Sequence, residues 1–311
     1  MKRKKIIRIG TATFFAIAIV YTTLHLFTVK TYHSCISITF NQSNIPLALV
    51  DIQGEKYALA IDLGDKFSLS LNRHALKNLG KMPHSPLHNR DAWGKSYETQ
   101  AYILSKIKIG DLSFNDVIVA EVNEAFVKNT TLWAETDNLE ELLKDRFGTI
   151  GRGLLGELNL LLDVKNSLIF VSNNIKKLKK DGYNLEQLIK VPFETGRTGV
   201  VLSINTDIGT IKLSIDTGST VSLLRSSLFQ DEKLNAQKHG LPVYATSKFQ
   251  IGNKDFGNTN LYLFDMTPEL NEIDGVLGMD FLKNHVVYID YKNKVVYIGD
   301  SLSRIEESRK L

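Results

Sequence analysis

The feature that most limits how this 311-residue chain can fold is that its body repeats itself. Cys35-Ile-Ser-Ile-Thr-Phe40 is followed by Ile45-Pro-Leu-Ala-Leu-Val-Asp-Ile52 and then Lys56-Tyr-Ala-Leu-Ala-Ile-Asp62-Leu-Gly64. Val191-Pro-Phe-Glu194 is followed by Gly199-Val-Val-Leu-Ser-Ile-Asn205 and then Thr210-Ile-Lys-Leu-Ser-Ile-Asp216-Thr-Gly218. Each set reads as a short strand, a longer alternating strand, a tight turn and a third strand that ends in Ile-Asp-x-Gly. Downstream, Ser105-Lys-Ile-Lys-Ile-Gly110 pairs with Ser247-Lys-Phe-Gln-Ile-Gly252, and Gly153-Leu-Leu-Gly156 with Gly275-Val-Leu-Gly278. Asp163-Val-Lys-Asn-Ser-Leu-Ile-Phe170 pairs with Asp290-Tyr-Lys-Asn-Lys-Val-Val-Tyr297. A period of about 140 residues means two homologous domains rather than a solenoid.

The expected organisation is therefore a first lobe over 35–175 and a second over 189–300, preceded by a separate segment over 1–30. The polar, lysine-rich stretch Asn173 to Gln187 is the boundary, read as a solvated surface segment. Copy one carries an extra segment, Glu121 to Phe147, in which Asn138-Leu-Glu-Glu-Leu-Leu-Lys144 reads as a short helix. In this register copy two has five more residues between Gly278 and Asp290 than copy one has between Gly156 and Asp163. Helical patterns follow each Asp-x-Gly, at Asn72 to Leu79 and at Leu224 to Ala236. The fold class expected is all-β with minor helices.

The first thirty residues read differently. Lys2, Arg3, Lys4, Lys5 and Arg8 precede Ile9 to Phe27, 19 residues without Asp, Glu, Lys or Arg. That length crosses a bilayer core as a helix, and only Lys30 follows within 15 residues. The charge bias keeps the N-terminus in the cytoplasm and sends the body across, so the expectation is a single-pass membrane protein with an extracytoplasmic body, periplasmic in a bacterium. A cleaved signal peptide is the competing reading; Leu24-His25-Leu26-Phe27 lacks its small-residue cleavage site.

Beyond the first eight residues the chain has 33 basic and 34 acidic residues, so no nucleic-acid partner is expected. One cysteine, Cys35, makes neither a disulfide framework nor a thiolate zinc site. His84 and His88 flank Pro86 and read as a loop rather than a metal pair. Gly151-Arg-Gly-Leu-Leu-Gly156 matches a dinucleotide fingerprint but is set aside, because copy two has Ile273 where Gly151 falls and the context is β-rich.

A strand-ending Asp before Gly is usually only a turn. Two copies of Ile-Asp-x-Gly, each followed after a β stretch by Gly-x-Leu-Gly, resemble the aspartic proteases, over roughly Ile36 to Gly299. The lobes look like the retroviral-protease type, fused in one chain as in pepsin-like members. The resemblance implies a peptidase acting on a peptide or protein substrate, with a monomeric body and no cofactor or metal. Asp62 and Asp216 would share one proton and activate a water. It further implies that Gly64 and Gly218 allow the tight turns, that Thr217 bonds across to the opposite loop, and that Ser219 bonds the outer oxygen of Asp216. The first copy departs from the pattern. Leu63 has no hydroxyl, and Asp65 stands where the family has a neutral residue, so its charge should raise the pKa of Asp62. The candidate flap is Asp91-Ala-Trp-Gly-Lys-Ser-Tyr97, with Trp93, Gly94 and Tyr97 as its active parts; an ordinary exposed hairpin is the alternative. The function expected is a membrane-anchored aspartic endopeptidase. Leu63 and Asp65 keep open a second reading, a peptide-binding module on a degenerate protease fold.

Overall fold

The structure is a computed structural model, and it describes residues 31–90, 94–122, 147–229, 237–238 and 241–300. The N-terminal apolar run, the Asn138–Lys144 segment and Trp93 lie outside these residues. Among the described residues no helix is long and apolar enough to cross a membrane. His33–Leu311 is one compact unit.

The first copy supplies β1 (His33–Phe40), β2 (Pro46–Ile52), β3 (Glu55–Asp62), β4 (Leu69–Leu71), β5 (Met82–Arg90) and β6 (Ser96–Ile109). It continues with β7 (Leu112–Glu121), β8 (Gly148–Gly151), β9 (Leu160–Asp163) and β10 (Leu168–Ser172). The second copy supplies β11 (Ile189–Pro192), β12 (Glu194–Gly196), β13 (Gly199–Thr206), β14 (Gly209–Ile215), β15 (Leu223–Arg225), β16 (Gln237–Lys238) and β17 (Leu241–Thr246). Its remaining strands are β18 (Phe249–Ile251), β19 (Lys254–Asp255), β20 (Thr259–Phe264), β21 (Gly275–Leu277), β22 (His285–Asp290) and β23 (Val295–Asp300). The helices are short: α1 (Arg73–Lys77), α2 (Arg152–Leu155), α3 (Ile175–Lys180) and α4 (Met279–Leu282). The result is mostly β, in two barrel-like lobes, as the alternating pattern requires.

The same weave occurs twice. In the first lobe β3 runs parallel to β8, β8 antiparallel to β4, and β4 parallel to β7. In the second, β14 runs parallel to β21, β21 antiparallel to β15, and β15 parallel to β20. Each weave holds one Asp-bearing strand end between buried neighbours. Leu59, Ile61, Leu69 and Ile150 fill the first interior, and Leu213, Ile215, Leu224 and Leu277 the second. The lobes join through a shared sheet in which β9 pairs with β22, setting Leu161 opposite Tyr288 and Leu162 opposite Val287.

This weave corrects one pairing of the sequence blocks. Asp62 sits opposite Gly151, and Ile215 opposite Leu277, so that Gly278 is the counterpart of Gly151. The true equivalents are Gly148–Gly151 and Gly275–Gly278, not Gly153–Gly156 and Gly275–Gly278. Gly151 and Gly278 cap α2 and α4 in matching extended conformations. With that register the five-residue difference vanishes: Asp163 and Asp290 each lie 12 positions beyond the glycine. Both aspartates then cap the same turn, Asp163 accepting from Asn166 and Asp290 from Asn293. The argument from Ile273 against a dinucleotide site falls with the old register. The β-rich context remains, since the glycines lead into a four-residue helix.

Four further expectations meet the structure. Asn72 caps α1 by accepting from the Ala75 amide at 2.8 Å, as its place before an apolar stripe suggests. Leu224 to Ala236 is not a helix in its described part. Leu224 and Arg225 are strand residues paired with β20 and β21, so ladder pairing overrides local propensity, and only a 3-10 turn follows at Ser226–Leu228. His84 and His88 lie on β5, not in a loop, with the pairing irregular between His84 and Leu87, around Pro86. The boundary segment is more than solvated surface. It forms α3, and Leu178, Tyr183 and Leu185 bury against Leu161, Phe170, Val286 and Tyr288.

Candidate active site

Asp62 closes β3 and Asp216 follows β14, so both carboxyls emerge where the two weaves meet. Each loop turns back on its own carboxylate. Oδ1 of Asp62 accepts from the Gly64 and Asp65 amides at 2.9 and 3.0 Å, and Oδ1 of Asp216 accepts from the Gly218 amide at 2.8 Å. The glycines are needed for close approach across the lobes. A Cβ on Gly64 would stand 2.7 Å from the Asp216 carboxyl, and one on Gly218 would stand 2.4 Å from that of Asp62. Each carboxyl is thus seated on the opposite loop's glycine, close enough that each acts on the other's ionisation.

The pair is electrostatically unequal. Burial first, then the Asp216 charge, then the Asp65 charge hold Asp62 well above the usual carboxylate range, against the pull of the Asp65 and Gly64 amides. Burial also raises Asp216, but less, because it is opposed by the Gly218 amide, the hydrogen bond from Asp62, the Ser219 amide and the positive charge of Arg152. Two buried carboxyls this close cannot both ionise cheaply, so the pair holds one proton between them.

Thr217 makes the expected cross-lobe contact. Its buried hydroxyl donates to the Ile61 carbonyl at 2.7 Å and accepts from the Leu63 amide at 3.0 Å. Leu63 returns nothing from its side chain and is instead packed away, 3% exposed. Asp65 lies where the sequence suggests, and its charge does act on Asp62. Ser219 differs from expectation. Its hydroxyl donates to the Val221 carbonyl at 2.7 Å, and it is the Ser219 amide that reaches Asp216. A carbonyl two residues away competes successfully for a serine hydroxyl in a turn.

Beneath the second loop, Ser222 accepts from the Gly278 amide at 3.0 Å and donates to Asp280 at 2.7 Å. Sequence reasoning missed this pair; the one available signal was a Ser three residues after Ser219.

The described part of the flap segment, Gly94 to Tyr97, leads into and begins β6. Gly94 has φ +87, a conformation L side chains rarely adopt, and a Cβ there would lie 2.7 Å from the Thr267 hydroxyl of the second lobe. Tyr97 is largely buried, with the Lys95 ammonium 5.3 Å from its ring centre. At Gly94 the chain therefore lies against the second lobe. Its seat is braced by Arg225, which donates to the carbonyls of Met266, Thr267, Leu270 and Ile273 at 3.0, 3.4, 2.7 and 3.2 Å. Nothing in the sequence marks Arg225 for this role.

Chemically, the two loops bring together two buried carboxyls that can hold one proton between them. Among the described residues no cluster of three or more His, Cys, Asp or Glu is placed to hold a metal.

Comparison with solved structures shows the pepsin-like aspartic-protease fold. The aspartic proteinase from Irpex lacteus matches with a TM-score of 0.53 at 15% identity, over 86% of this chain and 97% of that one. Conglutin gamma, a basic 7S globulin from lupine seeds, matches with a TM-score of 0.56 at 12% identity, over 90% and 97%. Basic 7S globulin from soybean matches with a TM-score of 0.56 at 10% identity, over 89% and 97%. No family model and no curated protein matches the chain.

Proposed function

We propose that the protein is an aspartic endopeptidase held at the membrane by its N-terminal apolar run, with its body outside the cytoplasm. The observation that carries the reading is the reciprocal seating of two carboxyls on each other's loop glycines. A water between them loses a proton to the Asp216 carboxylate and attacks the peptide carbonyl, whose oxygen takes the proton of the Asp62 acid. The tetrahedral product is a neutral geminal diol. Asp216 passes its proton to the leaving nitrogen, the C–N bond breaks, one diol hydroxyl returns its proton to the Asp62 carboxylate, and the products are a carboxylic acid and an amine. The pair returns to one shared proton. No covalent intermediate forms. Positioned proton transfer of this kind supplies about 10²–10⁴-fold in rate.

The second reading is a peptide-binding module, favoured by the buried Leu63 and by the fact that this fold also serves seed globulins. One experiment separates them. Full-length protein in detergent micelles is offered a peptide library between pH 3 and 7, with Asp216→Asn as control. Cleavage abolished by the substitution supports the peptidase. Tight binding of a statine-type mimic with no cleavage at any pH supports the binding module.

A further inference from the structure

Arg152 opens α2 directly after Gly151, the residue paired with Asp62. Its amide donates to the Asp65 carbonyl at 2.8 Å, and in the second lobe the Met279 amide donates to the Ser219 carbonyl at 2.8 Å. Arg152 is thus the counterpart of Met279, and Asp65 that of Ser219. Where the second lobe has a buried thioether and a neutral hydroxyl, the first has a guanidinium and a carboxylate.

Both groups are fixed. Asp65 accepts from the Phe67 amide at 3.0 Å and from the Ser70 and Thr149 hydroxyls at 3.1 and 2.8 Å. The Arg152 fork spans the lobes: Nη1 donates to the Gly64 carbonyl at 2.8 Å, and Nη2 donates to the Arg197 carbonyl in the turn between β12 and β13. Its Cδ passes 3.4 Å from where a Cβ on Gly199 would stand. Thr217 reaches from the second lobe to the first loop; Arg152, on α2 beneath the first loop, reaches to the second lobe.

We propose that Arg152 is a positioning residue of the dyad, tying the Gly64 carbonyl to the second lobe in place of the hydroxyl that Leu63 lacks, and offsetting the Asp65 charge beside Asp62. The proposal rests on the two-carboxyl reading given above. The charged and titratable groups around Arg152 are Asp62 and Asp65 of the first loop, Asp216 of the second, and Lys66, Glu157 and Tyr291, which line the same cavity. Lys66 is directed to the His88 carbonyl at 2.6 Å, and burial pushes the Tyr291 phenol up to about 12, so it stays neutral. Arg152 itself remains protonated and attracts Asp62, Asp65 and Asp216 alike. Asp65 and Arg152 therefore act on the dyad with opposite signs.

The test is the pH dependence of statine-type mimic binding, which needs one proton on the pair and requires no turnover. Four forms of the full-length protein in micelles are compared: wild type, Asp65→Ser, Arg152→Met and the double variant. The proposal expects the binding midpoint to rise by about one pH unit in Arg152→Met. It should fall in Asp65→Ser and return near wild type in the double variant. Arg152→Lys should keep the midpoint, because the charge remains, but lose affinity because the fork is gone. An unmoved midpoint in Arg152→Met, with only a lower melting temperature, overturns the proposal and leaves Arg152 a packing residue. If Arg152→Met fails to fold, Asp65→Ser decides: a midpoint that stays or rises refutes the charge balance. Wild-type protein that binds no mimic overturns the dyad itself, a different failure from an unmoved midpoint.

Discussion

The loops Asp62-Leu63-Gly64-Asp65 and Asp216-Thr217-Gly218-Ser219 have the same backbone and different chemistry. In both, an amide of the following glycine bonds the aspartate, and the glycine receives the opposite carboxyl. Yet the hydroxyl that bonds from one loop to the strand end of the other is that of Thr217, and both added charges sit on the first side. What the duplication preserves is the space between two carboxyls. What it lets drift is how each loop is held and which carboxyl keeps the proton.

The largest effects should come from the preserved part. Gly218→Ala puts a methyl 2.4 Å from the Asp62 carboxyl, and Gly64→Ala puts one 2.7 Å from that of Asp216. Since neither carboxyl can retreat without losing its partner, both variants should lose at least about 10²-fold in kcat/KM, with Gly218→Ala the worse. Equal and small losses would mean the loops have more room than their spacing shows.

Thr217→Val comes next. It removes a donor and an acceptor in a buried place, leaving the Ile61 carbonyl and Leu63 amide without their partner. A cost of about 2–4 kcal/mol is expected, read by denaturant unfolding. The mirror change, Leu63→Thr, sets a gain against a loss. A new hydroxyl contributes about 0.5–1.5 kcal/mol, while a buried leucine side chain gives up about 1–2 kcal/mol of apolar burial. Stability should stay within about 1 kcal/mol of wild type. If both substitutions cost the same, the one-sided lock is wrong.

Asp62→Asn tests the unequal proton. The Asp62 pKa is higher folded than unfolded, so the folded state holds its proton to higher pH. Its contribution is complete below the unfolded carboxylate value of about 4 and is lost as pH rises through the folded pKa. An amide avoids that loss. Asp62→Asn should therefore melt higher than wild type at pH 7 and converge with it near pH 3. The same substitution at Asp216, which is raised less, should give a smaller gain. Equal gains would make the pair symmetric.

Much of this was legible in the chain, because duplication shows itself as repeated strand patterns, and Asp62 and Asp216 end equivalent strands. The register of the third block was misread because Gly153-Leu-Leu-Gly156 is closer in letters to Gly275-Val-Leu-Gly278 than the true counterpart Gly148-Thr-Ile-Gly151. The correcting signal was present: only the true pairing gives equal spacing to Asp163 and Asp290. Arg225 and Arg152 were not legible. Each acts by donating to backbone carbonyls remote in sequence, and carbonyls leave no trace in residue identity. Ser219 was misassigned for the converse reason, since its nearby competitor, the Val221 carbonyl, is also backbone.

The most direct test of the central claim, two unequal carboxyls sharing one proton, is the rate of hydrolysis of a single peptide from pH 3 to 8 by wild type and by Asp62→Asn. The account predicts a bell-shaped profile in wild type. Its acid limb follows the first ionisation of the pair and its alkaline limb the loss of the second, shared proton. Asp62→Asn should have no activity at any pH. A profile with one ionisation, or activity that survives Asp62→Asn, would contradict it.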